Sequence, residues 1–311
     1  MRTFLTTVLL LGAALSPGSH AAASVEQIID EEMPASGVPG LAYAIVDGDT
    51  VTTGARGVRE AGTDLPVTPD TPFLTGSISK SFTALAVMQL VEAGAVGLDD
   101  PISAHLDDFA GGPGADVTVR QLLSHTSGYS TLQGNSSPAA PSDAPANRPG
   151  EIWEYSNTNY QILGRLIEAE SGDDFATYVE EHILEPVGMD DSFVSDGAVH
   201  EDMAVGHTSW FWTKRPIDDR TTSRETAAQG GVVATATDLA LYLQVMINGE
   251  DDVLSAEAKA TMMRPASEAS PFYGLGWFID TSAGTGWDSG SSPGVETLAA
   301  RSPGVGRAAR V

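Results

Sequence analysis

The chain has 311 residues, enough for one large domain or two coupled domains with a substantial hydrophobic core. Its 42 acidic and 16 basic residues give a formal net charge of −26, which argues against nucleic acid or an anionic lipid surface as a partner. The sequence has no cysteine, which excludes disulfide bonds, cysteine-linked lipid and thiolate chemistry. A halophilic source and a merely very acidic exported protein both fit this composition.

The first 23 residues look like a secretory signal peptide. Arg2 supplies the positive charge, residues 5–15 form an apolar stretch, and the three alanines at 21–23 provide a small-residue cleavage site. The apolar stretch is too short to span a bilayer, and no later segment is apolar enough over a sufficient length. We therefore expect a secreted or extracytoplasmic protein whose mature chain starts near Ser24 and has no stable membrane anchor.

The next elements follow from hydrophobic periodicity and turn residues. Residues 24–33 are predicted to form a short amphipathic helix. Residues 41–46 and 51–58 flank an Asp-Gly-Asp-Thr turn cluster, which predicts a β-hairpin. Residues 77–94 carry too many apolar side chains for a narrow stripe, so they are predicted to form a buried helix.

Residues 99–225 are predicted to be mostly helix and loop, with an aromatic cluster at 210–212 that suits either a crevice between domains or an acyl pocket. Beyond them, helices and two strands are expected in residues 226–297. The predicted fold class is α/β (α+β). Its sheet part comes from about 24–98 and 226–297, and its all-α part from about 99–225.

The predicted buried helix opens with a serine and a lysine on one face. Ser77 and Lys80 are three residues apart, which places their side chains one helical turn from each other. Apolar surroundings lower the pKa of an amine, and such an amine activates a serine nucleophile without histidine. The lysine side chain snorkelling to solvent is the alternative.

A second polar motif is Tyr155-Ser156-Asn157. A tyrosine relays a proton when a nearby ammonium favours its ionised form, and an asparagine amide both donates and accepts hydrogen bonds. Tyr155 and Asn157 therefore suit a catalytic site beside Lys80. A turn before a helix, with Ser156 or Asn157 as its cap, is the alternative.

Together these residues resemble the serine β-lactamase-related hydrolases, which include class C β-lactamases, D-alanyl-D-alanine carboxypeptidases and esterases similar to them. The resemblance runs from about residue 25 to 297 and includes the stretches 120–128, 149–151 and 273–277. It is carried by motifs in the order of that family, namely Ser77-x-x-Lys80, Tyr155-x-Asn157 and Asp288-Ser289-Gly290-Ser291.

The resemblance implies a fold and a reaction. The fold is an antiparallel sheet flanked by helices with an all-α subdomain. The reaction is acyl transfer, without metal or cofactor, to a small ester, amide or peptide substrate. Ser77 is the implied nucleophile, and Lys80 and Tyr155 share the acid and base roles, with the identity of the base left open. The implied substrate-binding residues are Asn157, Asp288, Gly290 and Ser291, and the N–H groups of Ser77 and Ser291 form an oxyanion hole.

The third motif departs from the family pattern, because Asp288 stands where the family has lysine or histidine. An inward aspartate repels a substrate carboxylate and raises the pKa of a nearby lysine, which favours neutral esters or amides. An aspartate that turns to solvent has little effect.

The C-terminus is a second departure, since family members continue with further strands and a closing helix. Residues 298–311 contain three arginines and no acidic residue, and they lack a strand pattern. The prediction is an irregular tail with the C-terminal strands missing, as a shifted frame or truncated gene would produce. Such a loss exposes the edge of the hairpin at 41–58. A short basic tail of no consequence is the alternative.

Other sites are less well supported. Gly290-Ser291-Ser292-Pro293-Gly294 matches a G-x-S-x-G elbow, but Pro293 opposes the required helix and no histidine follows. His125 and His207 lack metal-ligand spacing, and His125 is predicted to be structural. The hypotheses are an exported serine hydrolase, a catalytically impaired penicillin-binding or sensing relative, and a truncated inactive product.

Overall fold

The structure is a computed structural model that describes residues 25–47, 49–130, 140, 142–198, 200–210, 213–217, 222–248, 251–301 and 307–310. The predicted signal peptide at 1–23 and the side chains of the aromatic cluster at 210–212 lie outside the described residues. In the described part of the chain, no helix is both long and apolar enough to cross a membrane.

The chain divides into two compact units, residues 1–38 and residues 39–311. The described part of the first unit contains helix α1 (Val25–Ser36), which ends three residues later than predicted, and none of its residues is buried. Gly37 ends this helix, because its backbone adopts a φ of 64° and its N–H donates to Met33 O at 3.0 Å.

The second unit is organised around a six-stranded antiparallel sheet with the order β2-β1-β11-β10-β9-β8. The predicted hairpin at 41–58 is present, with Gly40 opposite Gly57 and Asp47 opposite Thr50. The strands are β1 (Gly40–Asp47), β2 (Thr50–Gly57), β8 (Phe278–Asp280), β9 (Thr285–Ser292), β10 (Val295–Arg301) and β11 (Arg307–Arg310).

The last two strands correct the prediction of an irregular tail and of missing C-terminal strands. Strand β10 pairs with β9, and β11 lies between β10 and β1 in the sheet. The prediction is wrong for residues 298–301 and 307–310. It relied on side-chain alternation, whereas a strand between two others is stabilised by backbone hydrogen bonds on both edges, whatever its hydropathy pattern.

Residues 99–225 are mainly helix and loop, but they also contain strands, so the prediction of an all-α part is too simple. The pair β5 (His207–Trp210) and β6 (Thr213–Pro216) forms a hairpin. A small sheet joins this region to its neighbours, in the order β3 (Phe73–Leu74), β7 (Val232–Ala234) and β4 (Phe193–Val194). Strand β4 was not predictable locally, because its partner β7 comes from outside the region.

Helices cover the sheet and form the rest of the core. The buried helix predicted at 77–94 is α2 (Ser79–Glu92), which packs against α4, α7 and α9, while α8 packs on β1, β10 and β11. The remaining helices are α3 (Val119–Leu123), α4 (Asn157–Ser171), α5 (Phe175–Val179), α6 (Glu185–Val187), α7 (Ala227–Gly230), α8 (Ala236–Ile247) and α9 (Ala256–Met262). Because α2 is enclosed by these elements, a polar side chain at its start is removed from water.

Candidate active site

Ser77 lies in a tight 3₁₀ turn, Gly76–Ile78, that runs directly into α2. Gly76 has a φ of +57°, and a Cβ atom there would lie only 3.0 Å from the backbone nitrogen of Ser291. Strand β9 passes even closer to Thr75, since a Cβ on Gly290 would meet Thr75 O at 1.8 Å. Glycine at both positions lets β9 approach the turn that carries the serine.

Three predicted residues meet at the Ser77 hydroxyl. Lys80 Nζ lies 3.0 Å from Ser77 Oγ, and Tyr155 Oη donates a hydrogen bond of 2.6 Å to the same oxygen. Lys80 comes from the first turn of α2, and Tyr155 comes from the segment just before α4. The fold thus brings together residues 78 positions apart in the sequence.

The Lys80 amine is fully buried, so it does not snorkel to solvent. Its second hydrogen bond goes to the backbone carbonyl of Gln229, at 2.6 Å. Burial lowers the pKa of Lys80 to about 7, and the nearby Asp288 carboxyl opposes this shift. Much of the amine is therefore uncharged near neutral pH, unlike that of an ordinary lysine, and the uncharged form is the one a general base requires.

The Tyr155 hydroxyl has the opposite tendency. Burial raises its pKa well above the usual range, Asp288 adds to this rise, and the hydrogen bond with Ser77 opposes it. Tyr155 is therefore a protonated donor at neutral pH. The ionised tyrosine considered from the sequence is disfavoured, although Lys80 Nζ lies 4.9 Å from the centre of the Tyr155 ring.

Asp288 points into the protein and is 1% exposed, which settles the question of its orientation. Its Oδ1 atom accepts a hydrogen bond of 2.8 Å from Ser289 N, whereas Oδ2 has no hydrogen-bond partner among the residues that the structure describes. Burial raises the pKa of Asp288 to about 8, while Lys80 opposes the rise. The site thus encloses a carboxyl group and an amine whose charged forms are both disfavoured by burial.

The other predicted binding residues lie around this centre. Asn157 is the first residue of α4 and is half-buried. Gly290 faces inward on β9, and Ser291 faces the other side, where its hydroxyl donates to Glu296 Oε1 at 2.8 Å. The Ser291 side chain is therefore directed away from Gly290, whereas its backbone nitrogen lies close to the Gly76 turn.

The sequence and the fold were compared with known proteins. The profile of the beta-lactamase family matches residues 25–308. The chain belongs to the beta-lactamase family. Penicillin-binding protein 4 of Amycolatopsis lactamdurans is 32% identical over 77% of this chain and 70% of its own length. The putative penicillin-binding protein PbpX of Bacillus subtilis is 28% identical over 81% of this chain, which spans 65% of that relative.

Solved structures agree with this membership of the beta-lactamase family. The octameric penicillin-binding protein homologue from Pyrococcus abyssi superimposes with a TM-score of 0.79 at 29% identity, over 92% of this chain and 72% of its own. A D-stereospecific amidohydrolase from Streptomyces gives a TM-score of 0.72 at 28% identity, over 90% and 91%. The predicted family and fold class are confirmed.

Two residues of this beta-lactamase-family site were not assigned to it from the sequence. The carbonyl of Gln229 holds Lys80, and the Gly230-Gly231 pair that follows is its only sequence signal. His125 was predicted to be structural. It has a φ of 59°, its ring centre lies 4.4 Å from that of Tyr155, and its Nδ1 atom accepts from Ser156 N at 3.1 Å. His125 therefore packs against the Tyr155 segment and holds its backbone.

His125 is uncharged in this setting. Burial, reinforced by the nearby Lys80, places the pKa of His125 well below its ordinary value. Its Nε2 atom has no hydrogen-bond partner. Among the described residues there is no group of three histidine or acidic side chains that would hold a metal ion.

An apolar surface continues from the tyrosine segment. The Trp153 ring packs edge-on against Phe272, with centres 5.0 Å apart, and lies 6.5 Å from the Tyr155 ring. Phe272 is 42% exposed, and Ile152 is 43% exposed. An exposed aromatic side chain is therefore connected through Trp153 to Tyr155, and accessible apolar side chains are typical of sites that take apolar ligands.

Proposed function

We propose that this protein is a serine hydrolase that cleaves esters or amides through an acyl-enzyme at Ser77. The observation that carries the proposal is the contact of the Ser77 hydroxyl with the buried Lys80 amine at 3.0 Å and with the Tyr155 hydroxyl at 2.6 Å. A nucleophile that touches both a neutral base and a proton donor suits acyl transfer.

Three hydrogen bonds surround this centre: Tyr155 O–H and a Lys80 N–H both donate to Ser77 Oγ, and another Lys80 N–H donates to Gln229 O. We infer that the uncharged Lys80 amine rotates its lone pair toward Ser77, so that the serine O–H donates across the same 3.0 Å contact. We therefore assign the base role to Lys80. Tyr155 acts as a donor that stabilises negative charge on Ser77 Oγ.

The proposed reaction has two halves. Ser77 Oγ bonds to the substrate carbonyl carbon as its proton passes to Lys80, and the N–H groups of Ser77 and Ser291 stabilise the oxyanion. Lys80 then returns this proton to the leaving alcohol or amine as the scissile bond breaks. Water attacks the acyl-enzyme with Lys80 again as base, which releases the acid and regenerates the serine hydroxyl.

Similarity to other proteins supports amide and ester chemistry without naming a substrate. A relative of 28% identity is a D-stereospecific amidohydrolase, and a structure of 25% identity is a D-amino acid amidase complexed with L-phenylalanine amide. We infer by extension that the substrate of this chain is a small ester, amide or peptide. The half-exposed Phe272 and Ile152 favour one with an apolar group.

The test is hydrolysis of p-nitrophenyl butyrate together with intact-mass detection of a butyryl adduct. Ser77→Ala should abolish both the adduct and turnover. The control is Ser171→Ala, since the Ser171 hydroxyl donates to Ile167 O near the end of α4. Unchanged esterase activity in Ser77→Ala would show that the assignment is wrong.

The same protein sample distinguishes the alternatives. Stable labelling of Ser77 by a fluorescent penicillin, with no turnover of esters or amides, identifies a penicillin-binding or sensing relative. Aggregation of the purified chain even in molar salt identifies an inactive product. We also propose export through residues 1–23, which N-terminal sequencing of the mature protein tests, with a start near Ser24 expected.

A further inference from the structure

The Asp288 carboxyl group is buried, and among the described residues one of its two oxygens has no hydrogen-bond donor. Its Oδ2 atom has no partner, although Oδ1 is held by Ser289 N. A buried ionised carboxylate needs several donors, and leaving one unpaired is costly. The geometry therefore favours a neutral, protonated carboxyl group at this position.

The groups around Asp288 point to the same state. The titratable side chains that interact electrostatically with it are Lys80 on α2, Tyr155 just before α4, Tyr160 on α4, Tyr242 on α8, and Tyr273 before β8. Four of the five are tyrosines, which supply no positive charge. Among the described residues, Lys80 is the basic side chain whose charge can compensate a carboxylate here.

Lys80 does not pair directly with Asp288. The hydrogen bonds of its Nζ atom go to Ser77 Oγ and Gln229 O, so the amine and the carboxyl group interact through space. Two buried charges that are not in contact lose more hydration than their attraction returns. The pair is therefore more favourable as neutral amine and neutral acid than as ammonium and carboxylate.

We propose that Asp288 is a positioning residue that acts through Lys80. A protonated Asp288 leaves the Lys80 amine uncharged, so that the amine can accept the proton of Ser77. The same pair of groups selects substrates without a carboxylate beside the scissile bond. The inference rests on the proposed function and deepens it by naming the substrate class. An ionised Asp288 favours the ammonium form of Lys80, which cannot accept the serine proton. It also opposes the negative charge that develops on the substrate oxygen.

The same balance explains the selectivity. A substrate carboxylate that enters the site needs a positive partner, and the Lys80 amine supplies one only by taking up a proton and ceasing to be a base. An anionic substrate therefore either binds weakly or protonates Lys80, which then cannot activate Ser77. A neutral ester or amide has neither effect.

The first experiment is the pH profile of kcat/KM for p-nitrophenyl butyrate. The wild-type profile should be bell-shaped: kcat/KM falls on the acid side as Lys80 is protonated and on the alkaline side as Asp288 is ionised. Asp288→Asn imitates the protonated acid, so its profile should lose the alkaline limb and keep the acid limb of Lys80. Asp238→Asn is the control, because Asp238 is a buried carboxyl group bonded to Ser192 on another part of the fold.

The second experiment needs no variant, so it stands even if Asp288→Asn fails to fold. Wild-type kcat/KM is compared for p-nitrophenyl butyrate and p-nitrophenyl hemisuccinate, whose acyl chains have the same length but differ by a terminal carboxylate. We expect the anionic ester to be about tenfold or more slower, the equivalent of one uncompensated charge interaction.

The outcomes separate the two proposals. If Ser77→Ala leaves hydrolysis intact, the proposed function fails. If Ser77→Ala is inactive but folded Asp288→Asn keeps the wild-type alkaline limb, or loses activity more than about a hundredfold at pH 7, then only the role of Asp288 is overturned. Equal rates for the two esters would overturn the selectivity.

Discussion

The Nδ1 atom of His125 accepts a hydrogen bond of 3.1 Å from the backbone N–H of Ser156, the residue that follows Tyr155. The same ring lies 4.4 Å from the Tyr155 ring, and the tyrosine in turn donates to Ser77. A neutral imidazole thus connects the turn at the end of α3 to the tyrosine that contacts Ser77. In the proposed reaction, His125 acts through the placement of Tyr155.

His125→Ala should therefore reduce both stability and activity. It removes the acceptor for Ser156 N–H and leaves a buried donor unpaired at a position with a φ of 59°, so we expect a loss of about 2–4 kcal/mol in the free energy of unfolding. His125→Asn keeps an acceptor and tolerates this backbone conformation, so it should recover part of kcat. Denaturant unfolding and ester kinetics check both; equal kcat for the two variants would contradict a positioning role.

Lys80→Met should separate activity from stability. Removing the base should lower kcat/KM by about a hundredfold or more. The free energy of unfolding should rise, because the wild-type amine gives up its proton on folding and methionine has none to lose. Lys259→Met is the matched control, as this buried lysine pairs with Asp251 outside the site, so it should lose stability and keep its activity. A stable, fully active Lys80→Met would exclude lysine as the base.

Tyr155→Phe removes only the hydroxyl that donates to Ser77. We expect kcat to fall by about a hundredfold, within the range for a lost donor to developing charge, with a small change in unfolding. The acylation rate should fall by a larger factor than KM changes, and burst kinetics measure the acylation rate separately. Tyr178→Phe on α5 provides the control. A variant that acylates at the wild-type rate would show that Tyr155 has no part in this step.

The stability of the fold should depend on pH through Asp288. Its pKa is raised on folding, so between about pH 4 and pH 8 the folded state keeps a proton that the unfolded chain releases, and the free energy of unfolding falls as pH rises. Asp288→Asn has no carboxyl group, so its free energy of unfolding does not fall in this way. The difference in unfolding free energy between Asp288→Asn and the wild type should increase by more than about 1.4 kcal/mol from pH 5 to pH 7, the equivalent of one pKa unit.

Urea unfolding at the two pH values measures this difference. Asp99→Asn is the control and should show no such change between pH 5 and pH 7, because Arg120 holds the pKa of Asp99 below its ordinary value and this carboxyl group is ionised in the folded and the unfolded chain at both pH values. A difference between Asp288→Asn and wild type that is constant over this range would mean that the carboxyl group is already ionised.

Ending the chain at Arg301 should unfold the second unit. Strand β11 pairs with β1 on one side and with β10 on the other, so its loss leaves two rows of backbone groups unpaired. The expected cost is at least about 3 kcal/mol. Deletion of residues 25–36, a helix with no buried residue, is the control and should cost little. Circular dichroism during urea unfolding compares the two; an unchanged midpoint for the shortened chain would contradict a structural role for β11.

Local sequence patterns predicted many of the helices and turns because these elements are stabilised by interactions between residues close together in the sequence. The i, i+3 spacing placed Ser77 and Lys80 on one face, and the turn cluster between residues 41 and 58 placed the hairpin. Strand pairing between distant segments leaves no comparable local sequence pattern. Strand β11 and the short strand β4 are strands because of partners far away in the sequence, so periodicity missed them.

The sequence by itself determined the chemical groups of the site and their order, since a serine, a lysine and a tyrosine keep their functional groups in any fold. Only the tertiary structure decided which state those groups take. Burial of Lys80 and Asp288, contact of Tyr155 with Ser77, and the carbonyl of Gln229 depend on segments that meet in space. Because pKa values respond to hydration and neighbouring charge, the assignment of base and donor had to come from packing.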